Sequence, residues 1–90
     1  MKRYVIEREI AGIGKFNAEQ LHDASQRSMQ AIRELGFEIQ WEHSYLTGDK
    51  SYCIYLATGE GVIRIHADLS GFPAHRITEV TRVIDPTWAQ

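Results

Sequence analysis

The chain has 90 residues, 43% hydrophobic and 24% charged, and a formal net charge of −2. That length supports one modest core and no second domain, and the balanced charge excludes the basic patch on which nucleic-acid binders rely. No apolar run approaches the ~18 residues of a membrane span, the N-terminal MKRYVIEREI lacks a signal-peptide core, and a single cysteine can close no internal disulfide. A single cytoplasmic domain over residues 1–90 is expected, with no nucleic-acid and no membrane partner.

Lys2 to Glu9 alternates, with Tyr4, Ile6 and Arg8 on one face and Arg3, Val5 and Glu7 on the other, which predicts a first strand. Gly12-Ile13-Gly14 breaks the pattern and reads as a turn, since no third glycine opens a helix behind it. Asn17, with Gln20 three residues on, forms a capping-box signature. Leu21, Ala24, Ser28, Ala31, Ile32 and Leu35 then recur at helical spacing, and Gly36 stops the helix as a left-handed C-cap. Glu38 to Thr47 alternates again, with Ile39, Trp41, His43 and Tyr45 sharing a face. Gly48-Asp49 suits a two-residue hairpin loop, and Lys50 to Ala57 is the return strand. A second helix near Gly59 to Ser70 carries Val62, Ile65, His66 and Leu69 at helical spacing, with Gly71 and Pro73 ending it. Arg76 to Ile84 reads as the last strand. Trp88 is large for a free tail and is expected to dock.

The order β-α-β-β-α-β is the ferredoxin-like pattern. The predicted fold class is α+β, a four-stranded antiparallel sheet with two helices on one face. Such a sheet leaves its other face bare, to be polar, to bind a ligand or to pair with a second subunit.

A two-residue loop sets Tyr45 opposite Tyr52, His43 opposite Ile54 and Trp41 opposite Leu56. This aromatic-rich set is expected to point at the helices, leaving Glu42, Ser44, Leu46, Ser51, Cys53 and Tyr55 on the other side. A bulge would flip part of one strand and bring Cys53 beside His43. On the first reading His43 and His66 share one small core, where each imidazole needs a hydrogen-bond partner or a ligand. His22 and His75 read as surface residues, and Cys53 as a buried apolar filler unless a histidine approaches. Imidazole with thiolate suits nickel, copper or zinc. The spacing forms no C-x-x-C, H-E-x-x-H or H-x-H motif, and no G-x-S-x-G or dinucleotide glycine loop is present.

The stretch WEHSYLTGDKSYCIY from Trp41 to Tyr55, His66-Ala67, Gly71-Phe72-Pro73 and Val83-Ile84-Asp85-Pro86, together with RYVIER at Arg3 to Arg8, resembles a family of small bacterial proteins. Its domain has no assigned function and is often labelled nickel-binding protein. The resemblance implies a cytoplasmic, ferredoxin-like homodimer with nickel as the bound metal, and no established reaction. His43, Cys53 and His66 fall on its histidine and cysteine positions and are the candidate metal ligands.

Two functions follow as expectations. The first is a metal-binding protein for sequestration or sensing, using His43, His66 and Cys53. The second is a dimeric enzyme of oxygenase or isomerase type, with His43 as general base in a pocket between sheet and helices and Tyr45 or Tyr52 positioning the substrate. Aromatics on a four-stranded sheet also suit RNA recognition, but SYCIYLA lacks the K/R-G-F/Y core and the charge is wrong.

Overall fold

The computed structural model describes residues 1–90. Strand β1 (Lys2–Glu9) leads through a short 3-10 turn at Ile13–Lys15 into helix α1 (Ala18–Leu35). Strands β2 (Ile39–Leu46) and β3 (Lys50–Ala57) form the hairpin, and helix α2 (Glu60–Ser70) and strand β4 (Arg76–Val80) complete the order. The sheet is antiparallel, ordered β2-β3-β1-β4, so the two central strands are β3 and β1. This is the ferredoxin-like arrangement expected.

Local chemistry explains the boundaries. Asn17 Oδ1 accepts from the Gln20 amide at 2.8 Å while Gln20 Oε1 accepts from the Asn17 amide at 2.9 Å, a reciprocal cap that starts α1. Gly71, at φ 79° and ψ 8°, ends α2 in the left-handed region. Gly36 also has positive φ, 68°, but its ψ of −131° lies outside the left-handed helical region expected, and it opens a 3-10 turn instead. The hairpin tip has its two residues, closed by the Thr47 amide donating to the Lys50 carbonyl at 2.8 Å. The Gly12–Gly14 turn folds against that tip: the Gly14 amide donates to the Gly48 carbonyl at 3.1 Å, and a Cβ on Gly14 would lie 2.5 Å from the Thr47 carbonyl oxygen. Glycine is required there by close approach of two backbones.

Three expectations are corrected. The last strand stops at Val80 rather than Ile84: Val80 already pairs with Arg3, and only Lys2 and Met1 lie beyond it on the N-terminal side, too short for four more residues to pair with. Trp88 does not dock: it sits 64% exposed on a terminal 3-10 turn, with the Arg82 guanidinium 6.0 Å from its ring. The largest correction is the orientation of the hairpin. The register near the tip is as expected, with Tyr45 opposite Tyr52 and His43 opposite Ile54, but the helices cover the other face, which carries Ser51, Cys53, Tyr55 and Ala57. A bulge between Trp41 and His43 then turns Trp41 and Ile39 onto that helix-covered face, setting Trp41 opposite Tyr55 rather than Leu56.

The core lies between this face and the helices, built from Tyr4, Ile6, Ile39, Cys53, Tyr55, Ala57, Val62 and Ile63. The α2 stripe is rotated from the expected one: Val62, Ile63, His66, Ala67 and Ser70 are buried, while Ile65 and Leu69 are half-exposed. In α1 only Ser28 and Ala31 are fully buried, and Leu21 is exposed. Arg27 joins the helices by donating to the Ser70 carbonyl at 2.9 Å and stacking 4.8 Å over the Phe72 ring.

Candidate functional site

The candidate residues separate across the sheet. His66 is buried on α2, where its Nε2 lies 3.1 Å from Ser28 Oγ and 3.3 Å from the Ser28 carbonyl oxygen. The carbonyl can only accept, so the Nε2 carries the proton and Nδ1 is left as an acceptor, buried and without a partner. Burial pushes the His66 pKa down to about 4, the nearby Arg8 charge adds to the depression, and the Ser28 carbonyl opposes it. Ser28 Oγ also lies 3.3 Å from the Tyr55 hydroxyl, and the Tyr55 and His66 rings stand 5.1 Å apart. Burial raises the Tyr55 pKa, against the opposing pull of Arg8 and Ser28. Cys53 is buried on the same side, its Sγ donating to Ser51 Oγ at 3.7 Å.

Beside this network lies a partly open cavity of about 270 Å³ between the sheet and α1, with Ile13 and Phe72 among the residues at its edges. Arg8, Ser51, Cys53 and Tyr55 line its sheet side together with Trp41, whose Nε1 donates to Ser44 Oγ at 2.9 Å, and Ser28 lines it from α1. Arg8 is 2% exposed, and its three guanidinium nitrogens are buried without a hydrogen-bond partner. The pattern that finds it was visible in the sequence, since Arg8 alternates with Tyr4 and Ile6 on the strand's inward face. Ser28 was likewise on the predicted helical stripe, but nothing in its spacing marked it as the partner of Tyr55 and His66.

His43 stands on the open face, exposed, with its Nε2 3.1 Å from the Tyr45 hydroxyl and the two rings edge to face at 5.0 Å. It therefore meets neither His66 nor Cys53, which lie across the sheet, and it is not at the wall of the cavity. The expected pairing of the two histidines in one core fails for a simple reason: the helices cover the face of the hairpin that carries Cys53 and Tyr55, opposite to His43. His22 is on the surface near Gln26, and His75 serves the backbone, its Nδ1 accepting from the Glu9 amide at 3.0 Å.

The sequence model of the family described as nickel responsive protein SCO4226-like matches residues 4–80. The chain belongs to this SCO4226-like family. The crystal structure of SCO4226 from Streptomyces coelicolor A3(2) superposes with a TM-score of 0.73 at 21% identity, covering 91% of this chain and 99% of that one, a likeness that carries the ferredoxin-like fold. No curated protein matches the sequence significantly. Within this SCO4226-like chain no three His, Cys, Asp or Glu side chains come together as a metal-holding group, and no helix is long and apolar enough to cross a membrane.

Proposed function

We propose that this protein is a small cytoplasmic nickel-binding protein that acts in metal sequestration or sensing as a homodimer. The observation that carries the reading is the match to a nickel-responsive family across residues 4–80. The donor chemistry is compatible, since imidazole suits nickel(II) and water or hydroxyl oxygens can fill the remaining positions. One chain offers His43 beside Tyr45 on its open face and no third donor there, so the site must be completed by a second copy. A two-fold interface presents the same patch from both copies, which doubles every donor at the axis. The open face favours such pairing: Val5, Ile54, Leu56 and Val80 form a half-buried apolar centre, and β2, which carries His43, is an edge strand with unpaired backbone groups. His66 and Cys53, beneath the helices, stand apart from this metal in the proposed arrangement.

The test is nickel titration of untagged, metal-free protein by calorimetry, with sedimentation in parallel. Nickel should bind at one ion per two chains and shift the mass toward the dimer. Imidazole must be unprotonated to ligate, so binding should weaken on acidification. His43→Ala should abolish binding and His22→Ala should leave it intact. A His43→Ala protein that keeps the full nickel response would place the metal elsewhere.

A further inference from the structure

Arg8 poses a problem that the nickel reading does not address. A guanidinium keeps its charge at every physiological pH, so unlike a buried lysine it cannot escape burial by losing a proton. An ion held out of water without a partner costs several kcal/mol, and that cost is normally met by a counter-ion and full hydrogen bonding. Every other buried or half-buried cation of the sheet has such a partner. Arg3 bonds Glu42 at 2.7 Å and Lys50 bonds Glu7 at 2.8 Å, both on the open face. Arg8 has no such counter-ion: no acceptor lies within hydrogen-bonding geometry of its nitrogens, and its neighbour is the neutral Tyr55, whose ring centre is 5.7 Å from Cζ and whose hydroxyl feels the guanidinium only weakly. The acidic residues that flank it, Glu7 and Glu9, alternate to the opposite face of β1. His66, nearby, carries no charge that could compensate it.

The surroundings narrow what the missing partner is. The cavity beside Arg8 is about 270 Å³, and ten of its fifteen lining residues are hydrophobic. An apolar cavity of roughly 150 Å³ is enough for benzene, so this one accommodates an aryl ring or a short alkyl chain together with a small charged head. Hydroxyl groups cluster at the Arg8 end, where Ser51 is its cross-strand neighbour and Tyr55 and Ser28 lie beyond. Leu21, Leu46 and Phe72 are among the residues of the apolar remainder. One guanidinium balances one negative charge, and its planar fork matches a carboxylate in bidentate geometry. A phosphate dianion would leave a second charge against apolar walls.

We propose that the cavity between the sheet and α1 binds a small apolar monocarboxylate, an aryl or short-chain acid, with its carboxylate on the Arg8 guanidinium and its body against Leu21, Leu46 and Phe72. The site lies across the sheet from His43 and does not depend on nickel. Trp41 lines the cavity and reports its occupancy, whereas Trp88 is exposed on the terminal turn.

The experiment uses the metal-free protein and measures thermal shift, calorimetry and tryptophan fluorescence with sodium phenylacetate and sodium octanoate. Phenylacetamide serves as the neutral isostere, and sodium phosphate and sodium chloride as simple anions. At least one of the two acids should bind saturably and raise the melting temperature, with the amide and the simple anions giving no comparable shift. Arg8→Met should weaken the acid by roughly tenfold or more, as expected for loss of a charge-assisted pair. Without ligand, Arg8→Met should melt at or above the wild type, because an unpaired buried charge has been replaced by an apolar chain of similar length. Ala24→Phe, which keeps Arg8 and fills the cavity from α1, should block the acids as well. The proposal is overturned if neither acid binds, in which case water alone satisfies the guanidinium. It is equally overturned if the amide or the simple anions bind as well as the acids, if Arg8→Met retains acid affinity, or if unliganded Arg8→Met melts well below the wild type.

Discussion

The two faces of the sheet divide the chemistry in opposite ways. The helix-covered face holds the small side chains of β3, Ser51, Cys53 and Ala57, with Tyr4, Ile6, Ile39, Trp41, Tyr55 and a buried arginine beside them, and Ser28 and His66 meet it from the helices. The open face carries Tyr45, Tyr52, His43 and the Arg3–Glu42 and Lys50–Glu7 pairs around a half-buried aliphatic centre. On β3 the small residues thus face the helices, while Tyr52, Ile54 and Leu56 face the open side. Helices packed closely over central strands leave room for only a few large residues, so small side chains on β3 are what allow α2 to approach. The space that α1 does not fill becomes the cavity. A face dense with aromatics and ion pairs is instead suited to meeting another surface.

The contrast can be broken most directly by cutting equivalent side chains on the two faces. Ile6 is fully buried beneath the helices, and Ile6→Ala should cost about 2–5 kcal/mol of stability in chemical denaturation. Ile54, partly buried on the open face, should cost less in a dilute sample where the chain is monomeric, and its replacement by alanine should weaken self-association in sedimentation. Equal losses for the two in dilute monomer would mean that both faces are core.

The next largest effect is a pH dependence that arises from His66 beneath the covered face. His66 has a folded pKa of about 4 against an ordinary value near 6.5, so between those values the unfolded chain takes up a proton that the folded one does not. Stability should therefore rise with pH across that window and be lost as pH falls from about 6.5 to 4, by on the order of 2–3 kcal/mol. Urea denaturation at a series of pH values measures the slope. His66→Gln should flatten it, whereas His43→Gln, on the other face, should leave it in place. A slope unchanged by His66→Gln would show that the proton goes elsewhere.

Cys53 gives a smaller contrast, read as a rate. Its thiol is buried on the covered face and bonded to Ser51, so a soluble thiol reagent should label the native protein slowly and the urea-unfolded protein quickly. Rapid, complete labelling of the native protein would mean that the helices open readily above β3.

How much of this was legible in the sequence follows from what each signal measures. The strands, both helices, the capping box of Asn17 and Gln20 and the hairpin register at Tyr45 and Tyr52 are set by local spacing, and all were readable. Which face of the hairpin meets the helices is not local. Alternation says that His43 and Cys53 point opposite ways but not which way is in, and the weight of aromatics favoured the wrong answer. The bulge beside Glu42 is also invisible to a period-two pattern, since one extra residue leaves the composition unchanged. Alternation puts Arg8 on one face of β1 together with Tyr4 and Ile6, but nothing in the chain says that this face is the buried one or that no carboxylate reaches it.

The smallest effect sharpens the question of what covers the open face. Glu42 occupies the bulge of β2 and reaches across β3 to Arg3, which donates from Nε at 2.7 Å. The hydrogen bond from Arg3, with the attraction of its charge, holds the Glu42 carboxyl below its usual range. A carboxyl depressed in the folded state contributes stability that is present at neutral pH and fades as acid protonates it. Both side chains keep about a third of their surface in water in the single chain, so the contribution should be slight and should vanish in about 1 M salt, where screening acts within a few ångströms. Glu42→Gln should accordingly leave the melting temperature of dilute protein almost unchanged. In the proposed face-to-face dimer the same pair would be desolvated, and the loss of one partner would leave the other charge buried, a far larger penalty. The variant should then dissociate at higher concentration than the wild type while its dilute stability is preserved. A Glu42→Gln protein that associates like the wild type would place the interface away from this face, and the metal proposed at His43 would lose the second copy it requires.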